Sequence, residues 1–234
     1  MQKRVLAAVL AAAFAPLGAM AEVTGASVGY DYTSLAENGM SGYNKSELNG
    51  AMEYSFGSAL SMQGDMALRV LDGTKVDSQG LTLHTIVRPG GGATALGFFA
   101  GKDWVDGKGM EFYGLEGAGQ MGAISYDAAL THVDGRNADA NGLSLRGAYA
   151  LSDRFDLGGR FDGYRASGET LSRYAATAGL AISPGLKMTG ELGRFDTAGR
   201  DTETYIGLGV KATFGGSGGA TFGKRGFMDF APAY

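Results

Sequence analysis

Beyond residue 21 the sequence predicts an all-β fold, a transmembrane up-and-down antiparallel β-barrel of about twelve strands. Three observations carry this expectation. Segments of alternating hydrophobicity recur between turn signals, and a period of two marks a strand with unlike faces. Eleven connections separate the twelve segments and read alternately long and short, as they should when one rim carries loops and the other tight turns. Forty-one glycines against four prolines sit in turns and inside strands, where a strongly curved sheet needs them.

Met1–Ala21 reads as a secretory signal peptide cleaved after Ala21. Lys3 and Arg4 form its basic start, Val5–Leu17 its apolar stretch, and Ala19-Met20-Ala21 a small-x-small cleavage site. The apolar stretch is too short to span a membrane as a helix. Losing Lys3 and Arg4 takes the formal charge from −4 to −6, and a mildly acidic chain without a basic block argues against nucleic acid as a partner. With no cysteine, disulfides and a lipoprotein anchor are both excluded. No later run approaches the ~20 apolar residues of a membrane helix, but a closed barrel needs only every second residue to face lipid.

The connections fall at about Ser34–Gly42, Gly57–Ser58, Leu71–Gly80, Pro89–Gly92, Asp103–Gly109, Gly119–Gly122, Asp134–Asn141, Ser152–Arg154, Ala166–Glu169, Ser183–Gly185 and Asp196–Asp201. In the first strand Ala26, Val28, Tyr30 and Tyr32 share one face, with Gly25, Ser27, Gly29 and Asp31 opposite. In the second, Leu48, Met52, Tyr54 and Phe56 oppose Asn49, Ala51, Glu53 and Ser55. The third is the clearest, with Leu60, Met62, Met66, Leu68 and Val70 against Ser61, Gln63, Asp65, Ala67 and Arg69. Leu143, Leu145 and Tyr149 oppose Ser144, Arg146 and Ala148, and Phe155, Leu157 and Phe161 oppose Asp156, Arg160 and Asp162. The last strand sets Ile206, Leu208, Val210 and Phe214 against Tyr205, Gly207, Gly209 and Lys211.

A soluble β-sandwich also alternates, but its polar face meets bulk water and is rich in lysine and threonine. Here the second face is small, glycine-rich and of mixed charge, as a confined lumen requires. Asp31, Glu53, Asp65, Arg69, His84, Arg88, Asp127, Arg146, Arg160, Asp162, Glu191 and Lys211 all have that parity and are expected to line a pore. Aromatics gather near strand ends as interfacial girdles do: Tyr54, Phe56, Tyr126, Tyr149, Phe155 and Phe214 at one rim, Tyr30, Tyr32, Trp104 and Tyr174 at the other.

Two short segments are informative beyond pattern. Tyr149-Ala-Leu-Ser-Asp-Arg-Phe-Asp-Leu157 is similar to the strand–tight turn–strand segments of porins. Tyr205-Ile-Gly-Leu-Gly-Val-Lys-Ala-Thr-Phe214 resembles a C-terminal barrel assembly signal. Over about residues 23–214 the chain resembles the Gram-negative outer-membrane β-barrel superfamily, including small porin-like proteins. That resemblance implies an outer-membrane location, both termini in the periplasm, and contact with outer-membrane lipid and lipopolysaccharide. It also implies delivery by the outer-membrane assembly machinery through Gly207, Val210, Ala212 and Phe214. One departure is plain, since twenty residues follow the final aromatic.

Chemistry is sparse. His84 is placed roughly across from Ala67, beside Asp65 and Arg69, as a lumenal polar cluster. His132 is in phase with lipid-facing Ile124, Tyr126, Ala128 and Leu130, while neighbouring Thr131 points the other way. An outer-membrane lipid hydrolase would need a nucleophile within reach of an oriented base, and no serine elbow or such pair is present. Neither HExxH nor a Cys/His cluster suggests a metal, and the loop aspartates match no EF-hand, so no enzyme activity, metal or cofactor is expected.

The expected function is a channel for passive diffusion of small hydrophilic solutes or ions. The alternative is a non-conducting structural or adhesion barrel, with a lipid hydrolase a distant third. Domain boundaries are set at 1–21 for the signal, 22–214 for the barrel and 215–234 for a glycine-rich linker and an aromatic, basic periplasmic tail. Lys224 and Arg225 of that tail have Asp31, Glu53, Asp65, Asp127, Asp156, Asp162 and Glu191 as possible partners if it occludes the inner mouth.

Overall fold

The computed structural model describes residues 22–36, 43–72, 76–135, 139–197, 202–215 and 219–232. The signal segment, residues 216–218 of the linker, Asp201 and Tyr234 lie outside the described residues. Twelve strands follow one another: β1 (Glu22–Leu35), β2 (Asn44–Ser55), β3 (Leu60–Leu71), β4 (Val76–Val87), β5 (Ala95–Val105), β6 (Lys108–Met121), β7 (Ile124–Asp134), β8 (Ala140–Ala150), β9 (Phe155–Ala166), β10 (Glu169–Ser183), β11 (Leu186–Thr197) and β12 (Glu203–Phe214). A single helical turn, α1 (Phe227–Phe230), comes after them. Each strand pairs antiparallel with the next, and β1 closes on β12 from Ala26↔Phe214 to Leu35↔Tyr205. The predicted closed, twelve-stranded antiparallel barrel is the observed one. Closure removes the sheet edges and pairs the backbone internally, which is what allows strands to cross hydrocarbon. No helix among the described residues is long and apolar enough to cross a membrane, which says nothing of strands.

The two faces separate as the period-two pattern demands. Along β3, Ser61, Gln63, Asp65, Ala67 and Arg69 are buried inside, while Leu60, Met62 and Val70 are exposed outside. Leu83, Leu130, Leu192 and Leu208 likewise stand more than half exposed on the outer wall. An apolar belt outside and a charged, buried interior is the reverse of a water-soluble protein's distribution. Leu115, midway along β6, is 61% exposed. Replacing it with arginine should cost about 2–4 kcal/mol if the belt meets hydrocarbon. Urea unfolding in lipid bilayers measures this, and a cost near zero would put the belt in water.

Strict alternation of long and short connections is not kept. The β5–β6 connection is only Asp106-Gly107, and the β9–β10 connection only Ser167-Gly168. Both pairs have positive φ throughout, 49° and 74° in the first and 51° and 86° in the second. That is the backbone of a type I′ hairpin turn, whose twist matches the flanking strands. These turns lie on the rim assigned to long loops. On the other rim Pro89–Gly91 forms a 3-10 turn inside the connection from Arg88 to Thr94, the longest there.

The segment read as the loop Leu71–Gly80 is mostly strand, because β4 begins at Val76. Its first residues lie beyond the apolar belt, where both faces are polar and alternation fades. The consequence is a register change: His84 pairs with Gln63 rather than Ala67.

The start of β1 and the end of β12 share one rim, here the proximal rim, while Leu35 and Tyr205 lie toward the distal rim. The interior between them is filled at three places. Phe99, Phe112, Val133, Tyr164 and Phe230 form the largest apolar cluster; Ile86, Ala95, Ala118 and Phe222 form a second; and Leu35 packs with Tyr205 in a third. Two of these clusters include a residue from beyond Phe214.

Candidate functional site: a lumen occupied by the C-terminal segment

Residues 219–232 run through the inside of the barrel from the proximal toward the distal rim. Near the proximal end Thr221 donates to Glu53 through its backbone N–H (3.0 Å) and its hydroxyl (2.6 Å). Midway, Lys224 and Arg225 meet the wall. Farther on, the Met228 N–H donates to Asp103 (3.1 Å), and Thr33 on β1 donates to the Pro232 carbonyl. The segment expected as a periplasmic tail that occludes the inner mouth therefore runs on along the lumen. Glu22 and Phe214 share the proximal rim, but the described chain ends toward the distal one.

The tail is held by charge. Arg225 donates to both oxygens of Asp127 (2.9 and 2.8 Å) and, through Nε, to Glu116 (2.9 Å). A bidentate guanidinium–carboxylate pair is among the stronger hydrogen-bonded ion pairs. Lys224 bridges Asp31 (2.8 Å) and Glu47. Opposite in sign, Asp229 accepts from Arg69 (2.7 Å), which also reaches Glu47 (2.7 Å) and Asp103 (3.2 Å).

All twelve predicted pore-lining residues point inward. Asp31, Arg88, Asp127, Arg146, Arg160, Glu191 and Lys211 border a cavity of about 830 Å³ beside the tail. Arg146 and Lys211 face it without an ion pair among the described residues. The other five are engaged in the wall or against the tail. Glu53 holds Thr221 and Arg88, Arg69 holds Asp229, Asp162 pairs with Arg160, and Asp65 and His84 hold each other. Of the carboxylates considered for the tail cations, Asp31 and Asp127 are the ones used; Asp156 pairs instead with Lys187 and Glu191 with Arg173.

Sequence reading missed Lys45, Glu47, Asp103, Glu116 and Arg173. Lys45 and Glu47 share the parity of Glu53 on β2, so continuing that alternation toward the strand's start would have found them. Asp103 opens the expected Asp103–Gly109 connection but belongs to β5. The expected Asp65–His84–Arg69 cluster is also corrected. His84 bridges Asp65 (3.1 Å) and Glu116 (2.7 Å), and Arg69, which pairs with Ser78 farther along β3, belongs to the Asp229 site. On the outer wall His132 faces Asn141 (3.0 Å) and the Tyr113 ring (centroids 5.1 Å apart), while Thr131 is buried inside.

Phe222 shows how closely the tail is fitted. Its ring stacks on His84 with centroids 5.9 Å apart and lies over Gly97, where an added Cβ would come within 2.6 Å of the ring. Gly97→Leu should therefore unseat Phe222, losing roughly 1.5–3 kcal/mol of apolar burial. Trypsin cleavage at Lys224 and Arg225 in folded barrels measures it. Protection equal to that of the parent chain would show that the seat is dispensable.

No family model and no curated protein sequence matches the chain. Its fold, however, is that of several solved outer-membrane proteins. It superposes on the KdgM porin with a TM-score of 0.61 at 10% identity, covering 80% of this chain and 99% of that one. A second KdgM structure, in complex with disordered oligogalacturonate, gives 0.63 at 10% identity over 80% and 99%. The NanC porin gives 0.62 at 9% identity over 80% and 98%, and the COG4313 outer membrane channel from Pseudomonas putida F1 gives 0.56 at 11% over 86% and 100%. At such identities the likeness establishes architecture.

Proposed function

We propose that this protein is a Gram-negative outer-membrane channel for small hydrophilic solutes, narrowed or closed by its own residues 219–232. The observation that carries the reading is the cavity of about 830 Å³ beside the tail, bordered by charges of both signs. A barrel whose interior served only to be filled would spend that space on packed side chains. Twelve strands stand between the filled interior of eight and the open channel of sixteen. The fold shared with porins supports the reading, and the oligogalacturonate held by the KdgM porin supports a polar solute.

In this reading the signal peptide is removed after Ala21 and the proximal rim faces the periplasm. The outer belt meets lipid and lipopolysaccharide, and the strand ending at Phe214, with Gly207, Val210 and Ala212, presents the assembly signal. Neither enzyme activity nor a cofactor is invoked. A second reading, a non-conducting structural or adhesion barrel, is favoured by the tail's attachment at many points along the lumen. Planar-bilayer recording of the full chain separates the two. Small discrete conductance steps are expected; silence of both the full chain and a variant with a weakened plug would remove the channel reading.

A further inference from the structure

The tail is gripped in the manner of a ligand. The carbonyls of five consecutive residues, Met228 to Pro232, each accept from a lumenal side chain. Lys45 Nζ donates to Met228 (3.1 Å) and Ala231 (2.6 Å), Arg173 Nη1 donates to Asp229 and Phe230 (both 3.2 Å), and Thr33 donates to Pro232. Upstream, Gln63 treats Phe222 as a β-ladder partner would. Its Nε2 donates to the Phe222 carbonyl (2.9 Å) and its Oε1 accepts from the Phe222 N–H (3.0 Å). Backbone contacts of this kind give affinity, while side-chain seats set the register, as they do where peptides are recognised through their main chain.

The seats are specific. Lys224 and Arg225 each meet two carboxylates, and Asp229 meets a guanidinium. Phe222 occupies the Ile86–Ala95–Ala118 pocket and Phe230 the Phe112–Tyr164 cluster. Yet residues 219–232 join no strand ladder, and the wall that holds them is a closed barrel without their help. The ligand and its site are thus separate structures on one chain. Gly215 and Gly219, both at positive φ (92° and 124°), take conformations that favour glycine on either side of the linker.

We propose that the lumen is a peptide-binding site whose resident ligand, residues 219–232, is exchangeable. Its ligand class is a peptide with two adjacent cations, an acid four residues after the second inside a single helical turn, and an aromatic on each side. This rests on the tail-in-barrel architecture of the proposed channel but does not need conduction, since binding is read without it.

The test uses the full chain with a protease site placed within residues 216–218, folded first and then cut. The freed segment should stay with the barrel through gel filtration. An excess of fluorescent synthetic peptide 219–234 should then replace it, giving a saturable rise in anisotropy. A scrambled peptide, and one carrying both Lys224→Glu and Arg225→Glu, should bind roughly tenfold more weakly or worse, equivalent to about 1.4 kcal/mol. Equal binding of native and scrambled peptides would overturn the proposal, as would a cut segment that no excess of peptide displaces. So would immediate loss of the cut segment with no peptide binding. Electrical silence of the same barrels would count against the channel reading alone, because anisotropy reports occupancy whether or not ions pass.

Discussion

Deleting residues 215–234 should raise single-channel conductance several-fold while leaving a folded, heat-modifiable barrel. The segment crosses the lumen from Glu53 near one rim to Thr33 near the other, so any solute must now pass through the space beside it. Removing it joins that space to the volume the tail had filled. The wall groups it leaves behind, among them Lys45, Glu47, Asp103 and Glu116, are charged and can be hydrated, so the emptied lumen has no reason to collapse as an apolar cavity would. Assembly should survive, because β12 completes its ladders to β1 and β11 before Gly215. Bilayer recording and the heat-dependent gel shift of the truncated chain measure the two halves of this expectation. An unchanged conductance in a folded truncation would mean that the tail does not limit the path. If the truncation fails to assemble while Phe214→Ala assembles normally, the assembly signal lies in the tail.

The barrel was legible because a closed wall with an apolar outside and a polar inside imposes one rule on every strand. Where an apolar outer face backs a polar inner one, as along β3, a one-residue slip would invert every side chain, and the sequence cannot blur the pattern. At the strand ends the rule relaxes. Val76–Gly80 has polar residues on both faces and reads as loop, and that misplacement moved His84 four positions in its register with β3. Asp106-Gly107 is a strong turn signal, but the charged residues around it widened it into a loop. The lumen was half legible. Parity found twelve inward groups, yet parity holds no information on which carboxylate faces which cation once a fourteen-residue segment threads among them. The choice of Glu47 and Glu116 over Asp65 and Asp162 depends on competing partners. His84 and Gln63 occupy Asp65, and Arg160 occupies Asp162.

Arg225→Glu should release the tail almost as completely as deletion does. Arg225 is buried, with its side chain only 2% exposed, and satisfies Glu116 and Asp127 together. Removing one partner of a buried pair typically costs about 3–5 kcal/mol, because the other is left uncompensated. Here the loss is compounded, since a third carboxylate would face the first two. The tail's remaining contacts cannot hold that arrangement without protonating it, so the middle of the segment should leave the wall and expose Lys224 to trypsin. Lys224→Met should do much less. Its side chain is 30% exposed and Asp31 is 39% exposed, so solvent screens that pair, which contributes about 0–1 kcal/mol, while its buried partner Glu47 keeps Arg69 (2.7 Å). A charge swap separates electrostatics from packing: Arg225→Glu combined with Asp127→Arg rebuilds one ion pair in reversed polarity. The double variant should recover part of the tail's trypsin protection and lower the conductance again, a coupling that distant, independent sites do not show. If Arg225→Glu leaves both protection and conductance as they were, the tail is not held in the lumen by this contact. If the double variant is no better than the single ones, Arg225 is held by its fit between Phe99 and Phe222 rather than by charge.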